Sequence, residues 1–317
     1  MAVWLCSGQG AQAPGMGADF LECGEFAQVA DVFAIGSEVL GVDLAELART
    51  GSEEEVNDPF NAQALTAAIA IGVGRELLAR GFEPETIVGF SLGQISALAI
   101  SGMLSAEDTF ALLKVRASAM AKACEGTDGA MVAIMGASHQ EAAALAEQCA
   151  EGEVLVPANF NCPGQVVLSG DAWAVERARA SWAASHGERK AKMLRTAGGF
   201  HTPLMAEAAK ATGAAAAKLR FAEPRFPVLC NTDAKPMTAA SAASRLEAQV
   251  MSPVLFEQAI AKLLAGGATE FAELGYGSVL VNLVKRCDRS TARHALGSAE
   301  GLQAYVAAEG PSMDAKA

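Results

Sequence analysis

The sequence predicts an α/β protein, a parallel sheet covered by helices and interrupted by a ferredoxin-like insertion. Over residues 1–126 short apolar runs alternate with helical stretches, the pattern of strands joined by crossover helices. From 127 to 196 the rhythm becomes β-α-β-β-α-β. The first rhythm then resumes. The core is therefore read as discontinuous, 1–126 and 197–308, with 127–196 as an inserted subdomain and 309–317 as a frayed tail.

Each element has its own signal. VWLC is a buried strand that stops at the turn-rich SGQGAQAPGMG. EFAQVADVFAIGSEVL and DLAELART read as helices, and NAQALTAAIAIGVGRELLARG as a third, closed by a glycine. ETIVGF is the next strand, followed by helices in GQISALAISGML and AEDTFALLKVRASAMAKAC. In the insertion GAMVAIMG, EVLVPANF, QVVLSG and RKAKMLRT are strand-like, and QEAAALAEQCA and AWAVERARASWAASHG are helical. Then come a helix (LMAEAAKATGAAAAKLR), a strand (FPVLCN), two helices around Pro253, a strand (TEFAEL) and a helix (VLVNLVKR).

Composition narrows the function. The 317 residues are 51% hydrophobic and 19% charged, a globular balance, with a net charge of −12. A nucleic-acid binder would want a basic face. The seven cysteines (Cys6, Cys23, Cys124, Cys149, Cys162, Cys230, Cys287) have no C-x-x-C spacing, so they are expected to be free, buried thiols in a reducing compartment. MAVWLCSGQG lacks the charged and apolar regions of a signal peptide, and no run of 18 apolar residues suggests a membrane span. A cytoplasmic protein is expected. Its histidines and carboxylates lack metal-ligand spacing, and GQGAQAPGMG does not fit the dinucleotide fingerprint.

Residues 87–98, IVGFSLGQISAL, set Ser91 between two glycines where a strand becomes a helix. Such a turn pushes the hydroxyl outward, needs small neighbours, and aims helix N–H groups at any oxyanion nearby. Taken alone, the same pattern also arises by chance in a chain with 31 glycines. A serine nucleophile needs a base. His139 precedes a helix, His186 ends one, and His294 reads equally as core or surface. His201 lies in the glycine-rich loop TAGGFHTPLM; a lone loop histidine is more often just a satisfied polar residue.

Together these blocks carry a resemblance. GQGAQ, GFSLGQ, ALLKVRASAM, ANFNCPGQVVLSG, GGFHTPLM, VLCNTD, QVMSPVLF and GYGSVLVNLVKR resemble, in order, blocks of the malonyl-CoA:acyl-carrier-protein transacylases and their polyketide-synthase acyltransferase relatives. The resemblance runs to about residue 290. It implies an α/β-hydrolase-like core with the ferredoxin-like insertion, and transfer of malonyl from malonyl-CoA to a carrier protein's phosphopantetheine thiol through a malonyl-serine, with no bound cofactor or metal. By position it implies Ser91 as nucleophile, His201 as base, and the backbone N–H groups of Gln9 and Leu92 as the oxyanion hole. Arg116 would bind the malonyl carboxylate, and the Gln249 main-chain carbonyl would orient His201. Gln63, Phe90, Met120, Asn161, Phe200 and Asn231 would line or support the pocket. Phe200 just before the histidine implies malonyl over methylmalonyl. Read by itself, Arg116 is a helix arginine reaching water.

Some positions depart from the family pattern: Phe90 and Gln94 stand where His and Glu are usual, Ser7 for proline, Ala117 for glycine, Phe256 for tryptophan and Tyr276 for proline. An acidic carrier protein would need local basic faces. Arg189, Lys190 and Lys192, and Lys285, Arg286 and Arg289, are the clusters available, though ordinary solvated surface explains them equally well. Rival readings are a serine esterase or thioesterase using an acid such as Asp108 or Asp128, a malonate decarboxylase subunit, a stand-alone polyketide acyltransferase, and a non-catalytic scaffold.

Overall fold

The computed structural model describes residues 2–309. In chain order the elements are β1 (Val3–Cys6), α1 (Ala18–Cys23), α2 (Ala27–Leu40), α3 (Leu44–Thr50), α4 (Glu53–Asn57), α5 (Pro59–Ala79), β2 (Thr86–Gly89), α6 (Gly93–Ile100), α7 (Ala106–Glu125), β3 (Gly129–Met135), α8 (His139–Ala150), β4 (Leu155–Cys162), β5 (Gln165–Asp171), α9 (Ala172–His186), β6 (Ala191–Met193), α10 (Ala206–Ala216), β7 (Val228–Leu229), α11 (Ala239–Met251), α12 (Phe256–Ala265), β8 (Glu270–Leu274), α13 (Val279–Cys287), β9 (Ala292–Ala295) and α14 (Ala299–Glu309).

Two compact units divide the chain. The first takes the described residues through Leu113, Phe221–Leu229 and those from Gly267 onward; the second takes Lys114–Arg220 and Cys230–Gly266. The second is thus wider than the 127–196 segment, although its sheet lies inside that segment.

The first unit is built on a sheet ordered β7-β2-β1-β8-β9 with parallel pairing throughout. Its central strand is buried along its length, Val3 to Cys6, as expected of a strand covered on both faces. The long helix α5 shows why these elements form. Asp58 accepts hydrogen bonds from the N–H groups of Phe60 and Asn61, and Pro59 occupies the first helical position. At the other end Gly81 has φ 86, its N–H donates to Leu78 O, and Phe82 N–H donates to Leu77 O. That is a Schellman closure, which only a left-handed residue permits cheaply. Among the described residues α5 is also the one helix long and apolar enough to cross a membrane. Here 83% of its apolar window is buried inside the protein, marking a core helix.

The second unit holds an antiparallel sheet ordered β4-β5-β3-β6. Helices α8 and α9 pack on it through Leu145, Ala146, Val175, Ala178 and Trp182 against Val132, Ile134, Val166 and Leu168. Ser138 caps α8 with a reciprocal bond to Glu141.

Several expectations shift. Strand β9 and helices α1, α4 and α14 carried no clear sequence signal; β9 is two exposed residues flanking two half-buried ones, without alternation. His139 is the first residue of α8 and does not precede it, and its Nε2 lies 2.8 Å from Glu257. Cys23 is exposed and Cys124 and Cys287 are half-buried, whereas Cys6, Cys149, Cys162 and Cys230 are buried; all seven are free. Of the proposed tail, Glu309 closes α14, and 310–317 lie outside the described residues.

Candidate active site

Ser91 sits between β2 and α6 with φ 51, a left-handed backbone that costs a non-glycine residue about 1 kcal/mol. The flanking glycines make the turn possible. A Cβ at Gly89 would lie 2.1 Å from the Gln94 nitrogen, and one at Gly93 would lie 2.0 Å from the Cys6 carbonyl oxygen. No side chain fits in either place. The turn's N–H groups are spent locally: Gly93 donates to Phe90 O, Gln94 to Ser91 O and Ile95 to Leu92 O. The Leu92 N–H is not among the donors used in this turn.

The Gly8–Gly10 loop adjoins this elbow. Phe90 N–H donates to Cys6 O at 3.0 Å, and a Cβ at Gly8 would meet Phe90 O at 2.7 Å. Gln9, in the middle of that loop, is half-buried, and its Nε2 reaches Pro59 O at 3.5 Å. Gln63 is buried on α5 in the same unit, and Phe90 is half-buried.

The second unit gathers His201, Arg116, Gln249, Asn231, Phe200, Met120 and Asn161. His201 also has a left-handed backbone, φ 62, and is buried. Its Nδ1 lies 3.1 Å from Gln249 O and 3.0 Å from Ser252 O. Carbonyl oxygens only accept, so Nδ1 carries the proton and Nε2 keeps its lone pair. Both carbonyls lie at the C-terminal end of α11, where helix carbonyls lack intrahelical donors and Pro253 supplies none. The imidazole therefore caps the end of that helix and is held in one orientation.

Burial pushes the His201 pKa down to about 4, and the Arg116 charge pushes it the same way; the two carbonyls pull it up. Arg116 is 1% exposed on α7, contrary to the water-reaching reading, and burial lowers its pKa to about 10. Asn231 Oδ1 accepts from Gln249 Nε2 at 3.1 Å, while its main-chain oxygen accepts from Leu255 N–H. It thus braces both sides of the Ser252–Pro253 link. Met120 packs with Met205, Ala209 and Val250, and Phe200 packs against the same cluster. Asn161 is on β4, and its buried Oδ1 has no hydrogen-bond partner among the described residues.

Ser252 and Ser169 escaped sequence reasoning. Ser252 acts through a carbonyl, which carries no residue identity. Ser169 Oγ donates to Phe200 O and fixes the residue before His201. The six candidate docking cations are all exposed, Arg189, Lys190 and Lys192 in the second unit and Lys285, Arg286 and Arg289 in the first. Among the described residues no group of three His, Cys, Asp or Glu side chains could hold a metal.

The first unit thus holds a strand–serine–helix elbow, and the second holds a buried imidazole and a buried arginine. The acyl transferase domain model matches residues 3–308, and the chain belongs to that family. It is 34% identical over 305 residues to the malonyl CoA-acyl carrier protein transacylase of Bacillus subtilis, covering 96% of this chain and 95% of that protein. The crystal structure of malonyl-CoA:acyl carrier protein transacylase from Xanthomonas oryzae pv. oryzae matches with a TM-score of 0.91 and 37% identity, over 97% of this chain and 98% of that one. A malonyl-transacylase solved in complex with its type II PKS acyl-carrier protein matches with a TM-score of 0.90 and 31% identity, over 97% and 98%.

Proposed function

We propose that this enzyme moves a malonyl group from malonyl-CoA to the phosphopantetheine thiol of an acyl carrier protein, feeding fatty-acid synthesis. Ser91 is the nucleophile. As its oxygen attacks the thioester carbon, His201 Nε2 takes the hydroxyl proton; collapse of the tetrahedral intermediate expels CoA thiolate, which takes that proton back. The carrier thiol then gives its proton to His201, attacks the malonyl ester, and Ser91 recovers the proton as it leaves. Backbone N–H groups of Gln9 and Leu92 hold the oxyanion in both halves. The Gln249 carbonyl orients the base, and Gln63, Phe90, Met120, Asn161, Phe200 and Asn231 shape the pocket. The Phe200 ring favours malonyl over methylmalonyl. The partners on the His201 Nδ1 are carbonyls, not an acid, which favours transferase over triad hydrolase.

The observation that carries the acyl group is Arg116. A guanidinium buried to 1% exposure, whose charge also lowers the His201 pKa, suits an acyl group with a free carboxylate, which it would meet with two parallel hydrogen bonds. Arg116→Ala should weaken malonyl transfer by about 2–3 kcal/mol, roughly 30- to 150-fold, because a charged group loses its partner. Acetyl transfer should change far less. Equal losses for both acyl groups on the mutant would end this assignment.

The finer architecture follows the same reading. The β-α-β-β-α-β order and the β4-β5-β3-β6 sheet support a ferredoxin-like subdomain at 127–196. A serine elbow after a strand of a parallel sheet supports an α/β-hydrolase-like core in 1–126 and 197–308. The exposed clusters Arg189, Lys190, Lys192 and Lys285, Arg286, Arg289 are the surfaces offered to an acidic carrier protein. Seven free cysteines fit a cytoplasmic setting.

A further inference from the structure

We propose that Ser7 and Glu273 form a buried latch that fixes the Gly8–Gly10 loop for acyl transfer, with Ser7 as a positioning residue. The inference rests on the reading that the Gln9 N–H stabilises the oxyanion.

Ser7 follows the last paired residue of β1, and its N–H donates to Leu274 O at 3.1 Å. Its hydroxyl donates to Glu273 Oε1 at 2.9 Å. Both residues are buried, Ser7 at 3% and Glu273 at 0% exposure. The other carboxyl oxygen, Oε2, accepts the Val281 N–H at 2.9 Å in the first turn of α13. One oxygen thus holds the start of a helix, and the other holds the strand end that leads into the loop. A carboxyl in the middle of a buried parallel sheet is costly unless such partners satisfy it.

Space is as restricted as the bonding. A Cβ at Gly275 would lie 2.5 Å from Ser7 Oγ, so the serine side chain packs directly against the Gly275 backbone, where no side chain fits. The loop beyond it is two glycines around Gln9, with Gly10 at φ 123. Glycine backbone is permissive and cannot hold an N–H in one direction unaided. An outside anchor is required, and the residue preceding the loop supplies it. The anchor also bears on the nucleophile turn: Cys6 O accepts the Phe90 N–H, and Gly8 approaches Phe90 O. A shift at Ser7 would move the donor loop against the residue next to Ser91. The pair is 266 residues apart in the chain, which hides it from motif reading.

The test is single-turnover formation of malonyl-enzyme, followed by intact mass, for wild type, Ser7→Ala, Glu273→Gln and the double variant. Ser7→Ala leaves the Glu273 bond to Val281 in place, so the fold should hold by circular dichroism. Its acylation rate at saturating malonyl-CoA should fall about tenfold, a fraction of the 10²–10³ lost with an oxyanion donor, while half-saturation moves less than twofold. The double variant should be no slower than Glu273→Gln, since two partners in one contact act as a unit. Ser7→Ala within twofold of wild type, or multiplicative losses in the double variant, would overturn the latch alone. A wild type that gains no malonyl mass, when Ser91→Ala also gains none, would remove the functional reading and the latch with it.

Discussion

The turn at Ser91 and the loop at His201 use the same backbone device by opposite means. Each places a non-glycine residue in the left-handed region, φ 51 and φ 62, and each side chain is thereby aimed. At Ser91 the constraint is steric and local, with glycines on both sides packed against main chain at 2.0–2.1 Å from any added Cβ. At His201 it is a set of hydrogen bonds, three of them to residues far along the chain: Nδ1 to Gln249 O and Ser252 O, and Ser169 Oγ to Phe200 O, with Thr202 Oγ1 to Gly199 O as a local fourth. At the serine the chain itself is bent; at the histidine the ring is tethered and its tautomer fixed.

The sharpest way to break this contrast is to add one methyl group on each side of it. Gly93→Ala drives a Cβ into the Cys6 carbonyl, and neither neighbour is a flexible side chain. It should cost about 3 kcal/mol or more in chemical denaturation, the upper range for overpacking. At Gly199 the Cβ would meet the main-chain Gly170 O at 2.9 Å, a much milder approach than 2.0 Å, and the end of Leu204 at 3.0 Å, which can yield. Gly199→Ala should cost about 1 kcal/mol. Equal costs would mean that sterics do not set the elbow apart.

The same difference decides what could be read beforehand. Gly89-x-Ser91-x-Gly93 is legible because the constraint is written in neighbouring residues. The α5 helix is legible for the same reason, with Asp58, Pro59 and Gly81 punctuating it. His201 stood out only through its resemblance to a family block, since its anchors are 48 and 51 residues away and act through carbonyls. Strand β9 escaped because a half-exposed edge strand needs no apolar alternation.

A pH experiment tests the tethered side. His201 titrates near 4 in the fold against an ordinary 6.5, chiefly through burial and then through Arg116. The unfolded chain therefore binds more protons between those values, so this group's stabilisation is complete above 6.5 and is lost as pH falls toward 4. The loss amounts to on the order of 3 kcal/mol. His201→Gln should flatten stability across that window. The acid limb of kcat/KM for wild type should fall near pH 4, where the free imidazole protonates, well below the 6.5 of an exposed histidine. A limb at 6.5 would show the ring to be solvated. The kcat limb should lie higher, because a bound malonyl carboxylate offsets the Arg116 charge.

The smallest expected effect separates main chain from side chain. Gln249 meets His201 through its carbonyl, whereas its amide group meets Asn231. Gln249→Ala removes the buried amide bond and should cost about 1 kcal/mol of stability. The carbonyl stays, because α11 still ends at Met251 and Ser252 still offers its own oxygen. Acylation should slow less than tenfold, and the acid limb should remain near 4. A limb displaced by a full unit in Gln249→Ala would mean that the side chain, and not the helix end, orients the base. The tether at His201 would then be as dependent on residue identity as the glycine turn at Ser91.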